Sequence, residues 1–202
     1  MPTYKLMYFE SKGRAEVIRL ALTAAGQEFE DKRFTREEWL KVKPTIPQNQ
    51  LPCLQVDDRL IPQSGAILRY VGRAFGLYGD NNDESTRIDV ILGATDDFLK
   101  NLINVYYEKD ETKKEELKKD LEENKLPQYF NLMEEILKEN NGGDGFFVGN
   151  KMSIADLMIY DLTDQVASFV TPPPLPPKLG TLIEKVKNNP KIKEYTSKQA
   201  SK

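Results

Sequence analysis

Hydrophobic and polar positions change period several times along the chain, and each change marks an element. Residues 3–9 are rich in strand formers (Tyr4, Leu6, Tyr8, Phe9) and predict a strand. From 14 to 25 the period becomes helical, with Val17, Ile18, Ala21, Leu22 and Ala25 on one face and Gly26 placed to end the helix as its C′ residue. Residues 28–34 predict a second strand. Thr35 and Glu38 have capping-box spacing and open a short helix through Trp39 to about Val42. Residues 51–56 and 59–62 read as two strands joined only by Asp57-Asp58, which makes them an antiparallel hairpin. Ser64 is then the expected N-cap of a helix over 65–75. The first module is β-α-β-α-β-β-α, a four-stranded mixed sheet in which the first two strands run parallel.

After residue 83 no strand pattern remains. Ile88, Ile91, Leu92, Thr95, Phe98, Leu99 and Leu102 keep a 3.6-residue period. A second long helix is expected over 112–138, with Leu117, Leu121, Phe130, Met133 and Leu137 inward and a kink at Pro127. A third is expected over 153–169, with Ser153 as N-cap, Asp156 three residues on, and Met152 placed to staple against Leu157. Five prolines between 171 and 177 make a stiff loop, followed by helix over 179–188 and a short helix from Pro190. Residues 76–83 (GLYGDNND) have linker chemistry. The expected division is an α/β module over 1–76, a linker over 77–83, and an all-α module over 84–202.

Composition narrows the chemistry. The 202 residues are 39% hydrophobic and 30% charged, enough for a core under a well-solvated surface. A formal charge of −3 argues against nucleic acid as a partner, and the basic run at 113–119 is interleaved with Glu115 and Glu116 as a solvated helix face is. The lone cysteine, Cys53, permits no intrachain disulfide, and it follows Pro52 into a strand, where an inert core thiol is expected. No leader pattern opens the chain and no apolar run reaches the ~18 residues of a membrane span, so a cytoplasmic protein without membrane association is expected. Histidine is absent, which excludes imidazole mechanisms; acid–base and electrostatic work falls to Tyr, Asp, Glu, Lys, Arg or the backbone.

Several stretches together resemble one family. YKLMYFESKGRAEVIRLAL at the start, EEWLKVKPT, NQLPCL and IPQSGAILRYVGRAFGL are similar to sigma-class glutathione transferases, including the glutathione-dependent prostaglandin D synthases. FFVGNKMSIAD is similar to the family's helix-capping motif, and VYYEKDETKKEELKKDLEENKLPQYF is most like insect members. The resemblance covers residues 2–196 and implies a thioredoxin-like glutathione-binding module, an all-helical module, a homodimer, and glutathione as co-substrate with no metal.

It also implies roles. Tyr8 would donate a hydrogen bond to the glutathione sulfur, with Arg14 adding positive potential. Leu51, held by a cis bond to Pro52, would offer its backbone to the cysteinyl part; locally, an ordinary trans proline entering a strand is the alternative. Gln63 and Ser64 would meet the γ-glutamyl head at a helix N-terminus, where Ser64 also works as a plain N-cap. Trp39 and Lys43 would meet the glycine carboxylate, with Gln50 at the same end; a core tryptophan and a solvated lysine are the alternative. Asp97 would reach the neighbouring subunit's glutathione. Phe9, Ser11, Gly13, Arg14, Met158 and Leu162 would line the pocket for a small hydrophobic electrophile, expected between the modules. Two departures stand out. Gln48-Asn49 replaces a common Phe-Gly, and Gly93 takes the place of a third carboxylate beside Asp96-Asp97, which argues against a metal there.

The implied activity is addition of the glutathione thiolate to aryl halides, unsaturated carbonyls or lipid peroxidation products. A prostaglandin D isomerase and a non-enzymatic, crystallin-like relative are the alternatives.

Overall fold

The structure is a computed structural model that describes residues 2–200, the side chain of Ala200 excepted. Its elements run β1 (Tyr4–Phe9), α1 (Glu16–Ala25), β2 (Glu30–Phe34), α2 (Arg36–Val42), β3 (Cys53–Val56), β4 (Arg59–Pro62) and α3 (Ser64–Ala74). There follow α4 (Asn82–Tyr107), α5 (Glu111–Asp120), α6 (Leu126–Lys138), α7 (Ile154–Ala167), α8 (Pro177–Lys187) and α9 (Pro190–Ala200). By contacts the chain forms two compact units, one of Met1–Tyr78 with Asn188–Lys202 and one of Gly79–Lys187.

The first unit is the four-stranded mixed sheet, in the order β2-β1-β3-β4. β1 pairs parallel with β2 (Lys5 with Glu30 through Phe9 with Phe34) and antiparallel with β3 (Tyr4 with Val56 through Met7 with Cys53). β3 and β4 form the hairpin, with Asp57 taking φ +51° in its turn. The pleat sends alternate side chains to opposite faces. Met7 and Cys53 join Phe34 and Ile46 in one buried cluster, against which Trp39, Val42, Leu51 and Leu60 pack. Their neighbours Leu6 and Leu54 are buried too, and α1 packs against α3 with Ile18, Leu22, Ile67, Leu68 and Val71 at or below 1% exposure.

Local chemistry explains the ends of elements. Gly26 closes α1 in the left-handed conformation at φ +72°, and Thr35 with Glu38 makes the full capping box of α2. α1 begins two residues later than the pattern predicts: Gly13–Ala15 form a 3-10 turn, so Arg14 stands in that turn and not on the α-helix. Ser64 is the first residue of α3 and not its cap; the cap position is Gln63, at φ +72°. Within the expected linker, Tyr78 is buried, with the Arg73 guanidinium over its ring.

In the helical unit α4 packs on α7, and α8 on both α6 and α7. Ile88, Ile91, Leu92 and Phe98 of α4 share its core with Phe130, Met133 and Leu137 of α6 and with Leu157 and Val166 of α7. The helix expected over 112–138 is interrupted by a π-helical turn at Leu121–Lys125. Pro127, two residues on, has no N–H to continue the regular ladder, and the wider turn absorbs that loss. Leu117, expected inward, is half-buried, because α5 buries none of its residues. α7 carries the expected Ser153–Asp156 capping box and ends at Ala167, two residues short of expectation.

The grouping also differs from the sequential division. α9 packs on α1, its Tyr195 hydroxyl donating to Glu16 at 3.0 Å and the Lys191 ammonium to the carbonyl of Ala24 at 3.3 Å. Residues from Asn188 onward therefore associate with the first unit.

Candidate active site

Strand register brings the candidate residues of the first unit to one end of the sheet. The β1–β3 ladder ends at Met7 and Cys53, so Tyr8 and Pro52 are the next residues on either side. Cys53 also pairs with Pro62, which makes Gln63 the next residue beyond β4. Phe9 pairs with Phe34 at the mouth of α2. Tyr8, Phe9, Leu51, Pro52, Gln63 and Ser64 thus arrive from three strands at a single edge, the edge from which α2 and α3 start.

Tyr8 is half-buried, and its phenol oxygen accepts the backbone N–H of Arg14 at 3.3 Å. A phenol has one proton and two acceptor sites. With an acceptor site engaged from behind, the proton is available to a group in front. Gly13 makes this approach possible at φ +41°, because a Cβ there would lie 2.6 Å from the Tyr8 oxygen. The Ser11 and Arg14 side chains are exposed.

Behind the phenol lies a charged network that sequence reasoning missed. Arg19 is fully buried in α1. Its Nε donates to Asp31 at 3.0 Å, and its Nη1 to Glu16 at 2.9 Å and to the carbonyls of Ser11 and Lys12 at 3.2 and 3.4 Å. Burial works against the guanidinium charge, but Asp31 and Glu16 outweigh it and hold the pKa above the ordinary arginine value. Its carbon sits 5.9 Å from the Tyr8 ring centroid, within cation–π range. Arg33 donates to the other Asp31 oxygen at 2.8 Å and to the carbonyl of Glu10 at 3.1 Å. The available signal was a Glu and an Arg three apart inside an otherwise apolar helix face.

The Leu51-Pro52 peptide bond is cis, as the resemblance implies. Pro52 is buried and Leu51 half-buried against the Met7 cluster. Trp39 packs on that cluster and lies nearly perpendicular to the Phe9 ring, ring centroids 5.9 Å apart. Lys43 lies one turn on, exposed, its N–H bonded to the Trp39 carbonyl, and Gln50 is exposed. No side chain caps the N-terminus of α3, and Gln63 instead donates its amide to the Gln48 side chain. The α3 start thus presents open N–H groups beside the Ser64 hydroxyl, an arrangement that suits a carboxylate.

Asp97, Met158 and Leu162 belong to the helical unit. Asp97 is exposed and pairs with Lys100 at 2.7 Å. Met158 is half-buried, while Leu162 is 2% exposed and is a core side chain there. Cys53 is fully buried, and burial pushes its thiol up. Among the described residues, no group of three or more Cys, Asp and Glu side chains could hold a metal ion, and no helix is long and apolar enough to cross a membrane.

A thioredoxin-like sheet with a phenol at the tip of its first strand, a cis-proline turn and an uncapped helix start is followed along the chain by a helical domain. Residues 4–73 match the glutathione S-transferase N-terminal domain and residues 96–199 the glutathione S-transferase C-terminal domain. Among curated relatives, a glutathione S-transferase of Dirofilaria immitis is 36% identical, covering 98% of this chain and 93% of its own. S-crystallin SL11 of Nototodarus sloanii is 35% identical, covering 98% of each. Among solved structures, prostaglandin synthase D of Nilaparvata lugens superposes with a TM-score of 0.83 at 34% identity, covering 98% of each chain. The chain belongs to the glutathione S-transferase family. It is an enzyme of that type, with glutathione as co-substrate.

Proposed function

We propose that the protein is a sigma-class glutathione transferase that adds the glutathione thiolate to small hydrophobic electrophiles, in detoxification of xenobiotics or lipid peroxidation products. The observation that carries this reading is the Tyr8 phenol at the tip of β1, whose oxygen accepts the Arg14 N–H and which keeps its own proton to donate. A thiol of pKa ~8.5 needs a shift of about two units, roughly 2.7 kcal/mol, to be mainly thiolate at neutral pH. A hydrogen bond to a charged acceptor supplies roughly 1.5–3 kcal/mol, and the Arg14 charge adds to it. Tyr8 stays protonated and acts as a donor, not a base. Rate enhancement then rests on thiolate stabilisation and proximity.

The remaining residues of the first unit divide along the tripeptide. The backbone N–H and C=O of Leu51, beside Pro52, pair with the cysteinyl segment. The uncapped start of α3 with Ser64 and Gln63 takes the γ-glutamyl head, which the open N–H groups support. Lys43, Gln50 and the indole N–H of Trp39 take the glycine carboxylate. Phe9, Ser11, Gly13 and Arg14 face the electrophile. We further assign a homodimer in which Asp97 meets the second copy's glutathione amino group; its exposure on α4 supports this. A cytoplasmic setting accords with a single, buried, reduced thiol.

Two other readings have specific support. Similarity to a prostaglandin synthase D favours an isomerase that uses and regenerates glutathione. Similarity to an S-crystallin raises a structural role beside catalysis. The experiment that separates them is retention on immobilised glutathione, followed by turnover of an aryl halide and product analysis with a prostaglandin endoperoxide, for wild type and Tyr8→Phe. Conjugation that drops ten- to several-hundred-fold in Tyr8→Phe supports the transferase reading. Unchanged neutral-pH turnover in that variant removes Tyr8 from its role, and binding without turnover supports the structural one.

A further inference from the structure

The charged network behind Tyr8 is more elaborate than packing requires. Arg19 is fully buried and still leaves Nη2 without a hydrogen-bond partner, on the guanidinium that lies under the Tyr8 ring. A hydrophobic side chain of similar volume would fill that space without the cost of desolvating a charge. What the two arginines do instead is bind main chain. Arg33 takes the carbonyl of Glu10, and Arg19 those of Ser11 and Lys12. These are the carbonyls of three consecutive residues, and those residues are all that lies between Phe9 and Gly13. The next N–H but one, that of Arg14, sets the orientation of the phenol.

We propose that Arg19 and Arg33 are positioning residues for catalysis, a two-armed clamp on the Glu10–Lys12 carbonyls that aims the Tyr8 proton at the thiol, with the Arg19 charge polarising the phenol from behind. The proposal rests on the reading of Tyr8 as the donor to the glutathione sulfur. The charges facing the clamp are Glu16 from α1 and Asp31 from β2, with the Tyr195 hydroxyl of α9 donating to Glu16 at 3.0 Å. Two cations and two carboxylates balance, so the clamp adds little net field, and its effect is directional. A cation under the ring draws electron density from the hydroxyl and makes it a stronger donor, while the held loop fixes where that donor points.

The test reads the pKa of enzyme-bound glutathione, followed by ultraviolet thiolate absorbance against pH, with kcat and glutathione affinity measured alongside. Removing Arg19 alone would strand Glu16 as a buried charge, so the first variant is the charge-balanced pair Arg19→Met with Glu16→Gln. The second is Arg33→Met, whose side chain is 27% exposed and whose loss leaves the buried pair intact. The double variant is expected to raise the bound-thiol pKa by about a unit, cutting kcat about threefold at neutral pH and regaining it as pH rises, with glutathione affinity within a few-fold of wild type. Arg33→Met is expected to shift in the same direction by less. A purely structural role would lower the folded fraction and leave the thiol pKa where it was. A folded double variant with the wild-type thiol pKa overturns the proposal; if that variant does not fold, an unshifted Arg33→Met overturns it. Tyr8→Phe runs in parallel to tell two failures apart. A thiol pKa unmoved by Tyr8→Phe sinks the Tyr8 reading, and the clamp with it; a pKa moved by Tyr8→Phe but by neither arginine variant sinks the clamp alone.

Discussion

A β-carbon on Gly13 would stand 2.6 Å from the Tyr8 hydroxyl oxygen, well inside any contact distance. The residue's φ of +41° is also one that side chains rarely adopt. Gly13→Ala must therefore move the phenol, strain the turn, or both. We expect it to cost about 1–2 kcal/mol of stability. Turnover should fall by at least about tenfold, because a small misplacement of a reacting group is costly. Melting temperature and initial rate on the same preparation check both; a variant as active and as stable as wild type would refute the steric account.

Asp156 gives a prediction about stability alone. Its carboxylate is fully buried at the start of α7 and accepts from Phe147 N–H at 2.9 Å, Ser153 N–H at 2.7 Å and Ser153 Oγ at 2.8 Å. Asp156→Ala leaves three buried donors unpaired, at roughly 1–3 kcal/mol each, so a loss of about 3 kcal/mol or more is expected in denaturant unfolding.

The same carboxyl carries a pH dependence. Burial outweighs the three donors and raises its pKa from the ordinary 3.8 to about 6. An acid whose folded pKa is raised binds more protons folded than unfolded, so its contribution is full below about pH 4 and is lost as pH rises through about 6. Asp156→Asn removes that titration. The stability difference between wild type and Asp156→Asn should thus shift in favour of the wild type as pH falls from 6 to 4, and a difference flat across that window would contradict the assignment.

Cys53 should be silent in the native protein. It is fully buried in β3, and burial raises its thiol pKa, so both access and thiolate fraction are low. Labelling by a thiol reagent at neutral pH should follow the rate of global opening and accelerate only in denaturant. Rapid native labelling would place the residue in a mobile or open segment instead.

Thr95 and Tyr129 share a hydrogen bond of 2.8 Å in the helical core, where Tyr129 also stacks on Phe98 with centroids 4.2 Å apart. Desolvation raises the Tyr129 phenol far above its ordinary value, so it remains a neutral partner at any working pH. Thr95→Val keeps the shape and deletes the partner. A loss of about 1–3 kcal/mol is expected in thermal or denaturant unfolding, with turnover of the folded enzyme unchanged.

What sequence could and could not supply follows from the range of the interactions. The hairpin at Asp57-Asp58 and both capping boxes, Thr35 with Glu38 and Ser153 with Asp156, were legible because each is fixed by residues within a few positions. The beginning of α1 was not, because Gly13 takes a backbone conformation dictated by the approach of Tyr8, and that contact spans a loop. Gln63 holds the cap position of α3 at a positive φ, contrary to the usual preference for Ser64. Tyr8 and the Leu51-Pro52 turn were located by motif. The Arg19 network escaped because its partners come from α1, β2, the Glu10–Lys12 loop and α9, and no local pattern links Tyr195 to Glu16.

The partnership of α9 with α1 bears on how this protein can be dissected. A fragment cut after Tyr78 would keep every strand of the sheet but strip Ile192, Tyr195 and Lys191 from the flank of α1, uncovering apolar surface and leaving the Glu16 carboxylate without its hydroxyl donor. The first unit is discontinuous along the chain, and an engineer wanting it alone would have to splice the tail back on.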